Sequence, residues 1–353
     1  MAMRILQIGG GSMGTRRMRD LRGPDHAGSP TSIWLLDARE DRRAAALDRF
    51  GIPGVANLDE ALALEPDAFV ISTPPHLHQQ FVRTALESGK HVFCEADIWP
   101  FELDLVERAQ AAHPGLVAAP SATLRFQPVV REVARIVAEE LGQLHAFGYV
   151  LSVDAASWHP GEGSEYYARH RSTAPAREMT AFELIALQHI FGPAASVSGL
   201  VQQRGSRASD TEDTFSLQYR TEAGAAGQLT VLMASPQVAR RGWAAGENGM
   251  VHFDLLTGLV DRQLPSRGLE DSRKICDWAG TLEAVYLDEI STFVAAVAGT
   301  AVWPYSYRES RLVCGTLAAA ELSTMTGNVE AVRSDLAPAA VPDAYAPSAS
   351  MPG

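Results

Sequence analysis

The apolar run His91-Val92-Phe93-Cys94 ends in two carboxylates, Glu95 and Asp97, with Ala96 between them. A strand that delivers acidic residues at its carboxyl end is where an open α/β sheet places ligand contacts and general bases. Three roles compete for this pair: proton transfer, a grip on a cofactor, or a helix cap. Asp97 precedes Ile98–Ala112, which reads as a helix, and aspartate is a favoured N-cap. The cap is therefore the expected role of Asp97, with general base as its alternative.

A second constellation lies at the amino terminus. Gly9-Gly10-Gly11-Ser12-Met13-Gly14 fits G-x-G-x-x-G directly after a strand and before a helix. Gly9 allows the tight turn, Gly11 lets backbone approach a pyrophosphate, and Gly14 lets helix and strand pack closely. Ser12 and Met13 open the helix whose N-terminus faces the phosphates. Asp37 closes the second strand 23 residues after Gly14, where a ribose-binding carboxylate belongs. A carboxylate there repels a 2′-phosphate, which favours NAD over NADP, although Arg39, Arg42 and Arg43 lie close by.

The elements that must hold these residues alternate in the amino-terminal third. Strands are expected at Arg4–Gly9, Ser32–Asp37, Asp67–Thr73, Lys90–Glu95 and Leu116–Ala119, with helices over Arg39–Phe50 and Pro75–Ser88. This is the grammar of a parallel, doubly wound sheet. After a helix at Pro128–Glu140 come longer alternating strands at Leu144–Val153, Val197–Gln203, Thr214–Thr221, Gln228–Ala234 and Met250–Asp254. They predict an α+β domain with an open, mostly antiparallel sheet. Helices are expected again at Glu283–Ala298 and Tyr307–Thr326. The organisation read from this is a Rossmann domain over 1–122, a substrate and oligomerisation domain over 123–305, a helix returning to the first domain over 306–333, and a loosely ordered tail over 334–353.

Bulk properties exclude several classes. The 353 residues carry a net charge of −12, which disfavours nucleic acid and anionic membrane as partners. No stretch approaches the roughly 20 apolar residues of a membrane span. Three scattered cysteines, Cys94, Cys276 and Cys314, form no metal-ligand or disulfide pattern, so no metal and a reducing cytoplasm are expected. Lys90 and Lys274 are the only lysines, and neither is placed at a strand's carboxyl end.

Five stretches together resemble the Gfo/Idh/MocA oxidoreductase family: GGGSMG, STPPHLH (72–78), HVFCE (91–95), RFQP (125–128) and the closing SYRESRLVCGTLAAAELSTMTG. The resemblance spans nearly the whole chain in the right order. It implies a Rossmann domain followed by an open-sheet domain, hydride transfer at a sugar, inositol or related polyol, and a homodimer or homotetramer. It also implies cofactor contacts from Thr73, Pro74, His78 and Glu95, and a substrate contact from Arg125.

Two departures from the family stand out. The usual Glu-Lys-Pro is here Glu95-Ala96-Asp97, so the proposed proton-handling lysine is absent. The family's aspartate four residues before a histidine matches Ile185 and His189, so the histidine remains and the aspartate is gone. His189 then becomes the leading acid/base candidate, because imidazole titrates near neutrality. Glu183, rotated by about 120° from His189 on an ideal helix, is expected to make a structural hydrogen bond or an interface contact. The segment SWHPGEGSEYY (157–167) is dense in Trp158, His159, Tyr166 and Tyr167, which suit a wall for a sugar ring. His159 is the second acid/base candidate.

The expected function is NAD-dependent oxidation of a secondary alcohol on a sugar-like or cyclitol substrate. Two alternatives stay open at this point: a redox-neutral NAD-dependent glycosidase or lyase, and a dinucleotide-binding protein without catalysis.

Overall fold

The computed structural model describes residues 3–23, 32–154, 175–204 and 211–334. Two compact units form, one from Met1–Ser121 with Tyr286–Ser310, the other from Ala122–Val285 with Arg311–Gly353.

The first unit is built on a six-stranded sheet of order β3-β2-β1-β4-β5-β6, every pair parallel. Its strands are β1 (Arg4–Ile8), β2 (Ser32–Leu36), β3 (Gly54–Val55), β4 (Ala68–Ile71), β5 (His91–Cys94) and β6 (Ala118–Pro120). The helices α1 (Ser12–Arg22), α2 (Glu40–Phe50), α3 (Leu58–Ala63), α4 (His78–Glu87) and α5 (Leu103–Ala112) connect them. A parallel sheet covered on both faces needs strands that are apolar on both sides. Ala68-Phe69-Val70-Ile71 meets that condition, with all four side chains fully buried. Strand order reverses between β1 and β4, which is the switch point where such sheets bind ligands.

One face of the sheet packs Met18 and Leu21 of α1 together with Ile290, Phe293 and Val294 of α8 (Trp278–Val297). The other packs Val82, Ala85, Leu105 and Tyr307. The segment that comes back to the first unit is therefore 286–310, whereas the sequence placed the return from 306 onward. Three apolar side chains of α8 at positions 290, 293 and 294 make this choice.

The second unit carries a nine-stranded sheet of order β14-β13-β12-β11-β7-β10-β9-β8-β15, in which β8 is Ala194–Gln202, β9 Thr214–Thr221, β12 Gly249–Asp254 and β15 Glu330–Ala331. All its pairs are antiparallel except β10 (Ala226–Leu232) on β7 (Leu144–Asp154). Helix α6 (Pro128–Glu139) is capped by Gln127, whose side chain accepts from the Val130 amide. Helix α7 (Pro175–Phe191) lies on the sheet, with Phe191 stacked on Phe147 at 3.9 Å. The expected architecture is thus present.

Besides the two-residue strands β3 and β15, three longer strands were not legible as such: β11 (Ala234–Gly246), β13 (Leu259–Leu264) and β14 (Leu269–Lys274). Their residues include Pro236, the small-residue run Gly242-Trp-Ala-Ala-Gly246 and the polar Leu269-Glu-Asp-Ser-Arg-Lys274, which lack apolar alternation. Pairing with neighbours, not intrinsic preference, makes them strands.

Candidate active site

The glycine-rich turn follows β1. Gly9 has φ +88°, and a Cβ there would lie 2.7 Å from the Ser72 carbonyl oxygen. A Cβ on Gly14 would overlap the Gly9 carbonyl oxygen, so the close helix–strand approach excludes any side chain. Gly11 caps α1 without a side-chain hydrogen bond. The first-turn amides, from Ser12 and Met13 onward, therefore stay available to an anion. Asp37 is buried, and its Oδ2 accepts from the Gly10 amide at 2.7 Å while Oδ1 accepts from the Arg39 amide at 2.9 Å. Arg42 Nη1 stands 3.4 Å from Oδ2. Thr73, just past β4, holds a buried Oγ1 with no hydrogen-bond partner among the described residues. An open amide cradle, an oriented carboxylate and an unmatched hydroxyl along one sheet edge fit a dinucleotide.

His78 and Asp97 meet at the ends of β4 and β5. His78 Nε2 lies 2.8 Å from the Thr73 carbonyl oxygen. A carbonyl only accepts, so Nε2 carries a proton. Nδ1 lies 3.2 Å from Asp97 Oδ1. Asp97 is buried, and α5 begins only at Leu103 with Glu102 as its N-cap residue. The expected cap role of Asp97 is thus corrected: a buried histidine takes its carboxylate, and the helix starts five residues later than Ile98. Cys94 Sγ completes a group whose potential ligand atoms lie within 4.8 Å of one another. The His78–Asp97 hydrogen bond already occupies two of the three, and burial pushes the Cys94 thiol well above its usual value, with Asp97 and Glu95 adding to that shift. This favours a hydrogen-bonded cluster over a cation site. Burial, and secondarily the charge of His78, lowers the pKa of the neighbouring His76. Pro74, with φ −56° and ψ 147°, is the N-cap residue of the 3-10 turn Pro75–Leu77.

Glu95 is held by a residue that sequence reasoning missed. Arg17, on the second turn of α1, donates from Nε to Glu95 Oε1 at 2.7 Å and from Nη2 to Oε2 at 3.1 Å. Nη2 also reaches Glu289 Oε2 at 2.7 Å, and Nη1 the Tyr286 carbonyl at 3.2 Å. Ser121 donates to Glu289 Oε1 at 2.8 Å. Burial opposes the charge on Arg17, but the two carboxylates outweigh it and hold its pKa above the usual value. Glu289 is 272 positions away from Arg17 in sequence, and no local signal pointed to it.

In the second unit, His189 sits exposed in the last turn of α7, while Ile185 and Ala186 of the preceding turn are buried. Glu183 is buried and accepts from Arg240 Nη2, the structural hydrogen bond expected of it. Arg240 lies 4.8 Å from the Trp278 ring centroid and 5.6 Å from that of Phe182. Burial pushes the adjacent Tyr149 phenol well up, Glu183 adds to the shift, and Arg240 opposes it. Tyr149 and Arg240 escaped notice because each sits in an unremarkable strand segment. Arg125 is buried in the 3-10 turn Thr123–Phe126, and its carbonyl accepts from Arg131 Nε at 3.1 Å. Trp158, His159, Tyr166 and Tyr167 lie outside the described residues.

A parallel sheet with a glycine-cradled helix at its switch point, joined to a second unit with a large mixed sheet, defines the class of two-domain, NAD-binding Rossmann oxidoreductases. Residues 3–110 match the family described as oxidoreductase family, NAD-binding Rossmann fold, and residues 130–252 match the GFO/IDH/MocA C-terminal domain. The chain belongs to the GFO/IDH/MocA family.

Over 116 residues it is 35% identical to D-xylose 1-dehydrogenase (NADP(+)) 2 of Haloferax volcanii, covering 30% of this chain and 34% of that protein. Over 99 residues it is 33% identical to inositol 2-dehydrogenase of Renibacterium salmoninarum, covering 28% and 29%. The chain thus matches about a third of the length of these curated relatives. The fold of levoglucosan dehydrogenase in complex with NADH superimposes with a TM-score of 0.79 at 17% identity, covering 94% of this chain and 100% of that one. No described helix is long and apolar enough to cross a membrane.

Proposed function

We propose that this protein is an NAD-dependent dehydrogenase or reductase that acts on a secondary alcohol or ketone of a sugar-like or cyclitol substrate. The observation that carries the reading is Asp37, whose carboxylate is oriented by the Gly10 amide at 2.7 Å beside an uncapped helix N-terminus. Family membership and the dehydrogenases among its relatives support the reaction class.

When bound, NAD supplies the hydride acceptor at its nicotinamide ring. The protein's part is to bind and orient. The amides opening α1 take the pyrophosphate, and Asp37 accepts from the adenosine ribose hydroxyls while disfavouring a 2′-phosphate. Glu95, immobilised by Arg17, presents a carboxylate at the edge beside β4 and β5. Ala96 carries no proton, and Asp97 is engaged by His78. Proton transfer to or from the carbinol oxygen is therefore assigned to an imidazole, His189 or His159. The protein is proposed to be cytoplasmic and to assemble as a homodimer or homotetramer.

The test is to incubate purified protein with NAD and a panel containing myo-inositol, D-xylose and levoglucosan, and to follow the absorbance of reduced cofactor. Turnover of at least one polyol is expected. Bound NAD with no change in absorbance across the panel would sink the oxidoreductase reading.

A further inference from the structure

Gln7 interrupts an apolar row in the middle of the first unit. On β1 it is paired with Leu35 of β2 on one side and Val70 of β4 on the other, and Val70 is paired in turn with Phe93 of β5. Leu35, Val70 and Phe93 are fully buried members of one apolar cluster. Gln7 is fully buried beside them. A parallel strand covered on both faces calls for an apolar side chain here, and a buried amide costs free energy unless its hydrogen bonds are made. Half of this amide goes without. Gln7 Oε1 is buried and has no hydrogen-bond partner among the described residues.

The other half gives the amide its use. Gln7 Nε2 donates to the Gly9 carbonyl at 3.1 Å and to the Ile8 carbonyl at 3.3 Å. Both partners only accept, which places the amide nitrogen at this end of the side chain. The Ile8 carbonyl also accepts from the Ser72 amide at 2.8 Å. The Gly9 carbonyl belongs to the peptide that opens the glycine-rich turn. The far end of that same peptide is the Gly10 amide, which donates to Asp37 Oδ2 at 2.7 Å. Gly9 has φ +88°, and glycine's wide conformational freedom leaves the orientation of this peptide weakly set by sterics. A peptide unit is planar, so holding its carbonyl also fixes the direction of its N–H. One rigid plane thus joins the Gln7 amide to the Asp37 carboxylate.

We propose that Gln7 is a positioning residue for the dinucleotide, holding the Gly9–Gly10 peptide so that Asp37 stays aimed at the ribose it grips. This rests on the reading that Asp37 accepts from the adenosine ribose hydroxyls of NAD. Gln7 acts through the peptide plane and the carboxylate, and its place in an apolar row is the cost of that control.

The experiment replaces the amide by an unbranched apolar side chain, Gln7→Met, in the full-length protein. NADH and NADPH dissociation constants are titrated by fluorescence, and stability is followed by urea unfolding without nucleotide. The NADH dissociation constant is expected to rise about five-fold, as for the loss of one neutral hydrogen bond. The NADPH value stays within about two-fold, because Asp37 does not favour a 2′-phosphate, so the NADH-to-NADPH ratio rises. The urea midpoint stays near that of the parent, since removing the orphaned Oε1 offsets the donor lost by the Gly9 carbonyl. A merely structural role lowers the midpoint and weakens both nucleotides together. That result, or an unchanged ratio, overturns the inference. Should Gln7→Met fail to fold by circular dichroism, Gln7→Val, at home in a buried parallel strand, is the second variant with the same expectations and the same outcomes against it. Failure of both to fold marks a structural role and also overturns it. A parent protein that binds neither nucleotide overturns the cofactor reading and the inference together. One that binds NADH with a ratio unmoved by the substitution overturns the inference alone.

Discussion

His78 and Asp97 face each other at 3.2 Å across the ends of two neighbouring parallel strands, and both are buried. The other imidazole nitrogen is committed to the Thr73 carbonyl. Removing the carboxylate takes the hydrogen bond to Asp97 away from a buried imidazole. Asp97→Ala should therefore destabilise the first unit by about 1–3 kcal/mol. Urea unfolding followed by tryptophan fluorescence checks this, and parental stability would show that the pair contributes nothing.

Gly14 has no room for a side chain, because its Cβ would overlap the Gly9 carbonyl oxygen. Gly14→Ala must push α1 away from β1 and spoil the amide cradle at the helix start. Loss of measurable NADH binding is expected in a fluorescence titration. Binding at parental affinity would mean that the turn yields without consequence.

Asp37 accepts from two backbone amides and stands near Arg42. Asp37→Ser should weaken NAD binding by roughly ten-fold, about 1.4 kcal/mol, while relieving repulsion of a 2′-phosphate. The ratio of NAD to NADP dissociation constants, measured on one protein preparation, reports the change. A ratio that does not rise would remove Asp37 from the discrimination.

His91 opens β5 with its Nδ1 accepting from the Val117 amide at 3.0 Å, which requires the neutral ring. Burial lowers its pKa, against a smaller opposing effect from Asp67. A histidine with a depressed folded pKa contributes stability that is fully present above its unfolded pKa, about 6.5. That contribution is lost as pH falls through the folded value. Stability of the parent should thus decline on acidification below neutrality. His91→Gln should flatten that decline, as measured by chemical denaturation at a series of pH values. An unchanged slope would show that other groups govern it.

How far the sequence reaches depends on how local the cause is. The glycine turn was legible because G-x-G-x-x-G and Asp37 act through backbone geometry within one βαβ unit. Helix Tyr307–Thr326 matched its expected bounds for a similar reason. Asp97 shows the opposite case. Its residue type and place before an apolar run favoured a cap, but a histidine 19 positions earlier took the carboxylate. Strand β11 is another, because Ala234–Gly246 becomes a strand through pairing with β7 and β12.

By itself, the sequence determined the parallel sheet, the switch point and the dinucleotide cradle, since short-range periodicity and steric need for glycine specify them. Only the tertiary structure decided what surrounds Glu95. Arg17, Ser121, Tyr286 and Glu289 come from segments far apart along the chain, and packing α1 and α8 on one face of the sheet brings them together. A buried charge cluster depends on distances in space that no residue spacing encodes, so its existence appears only once the chain has folded.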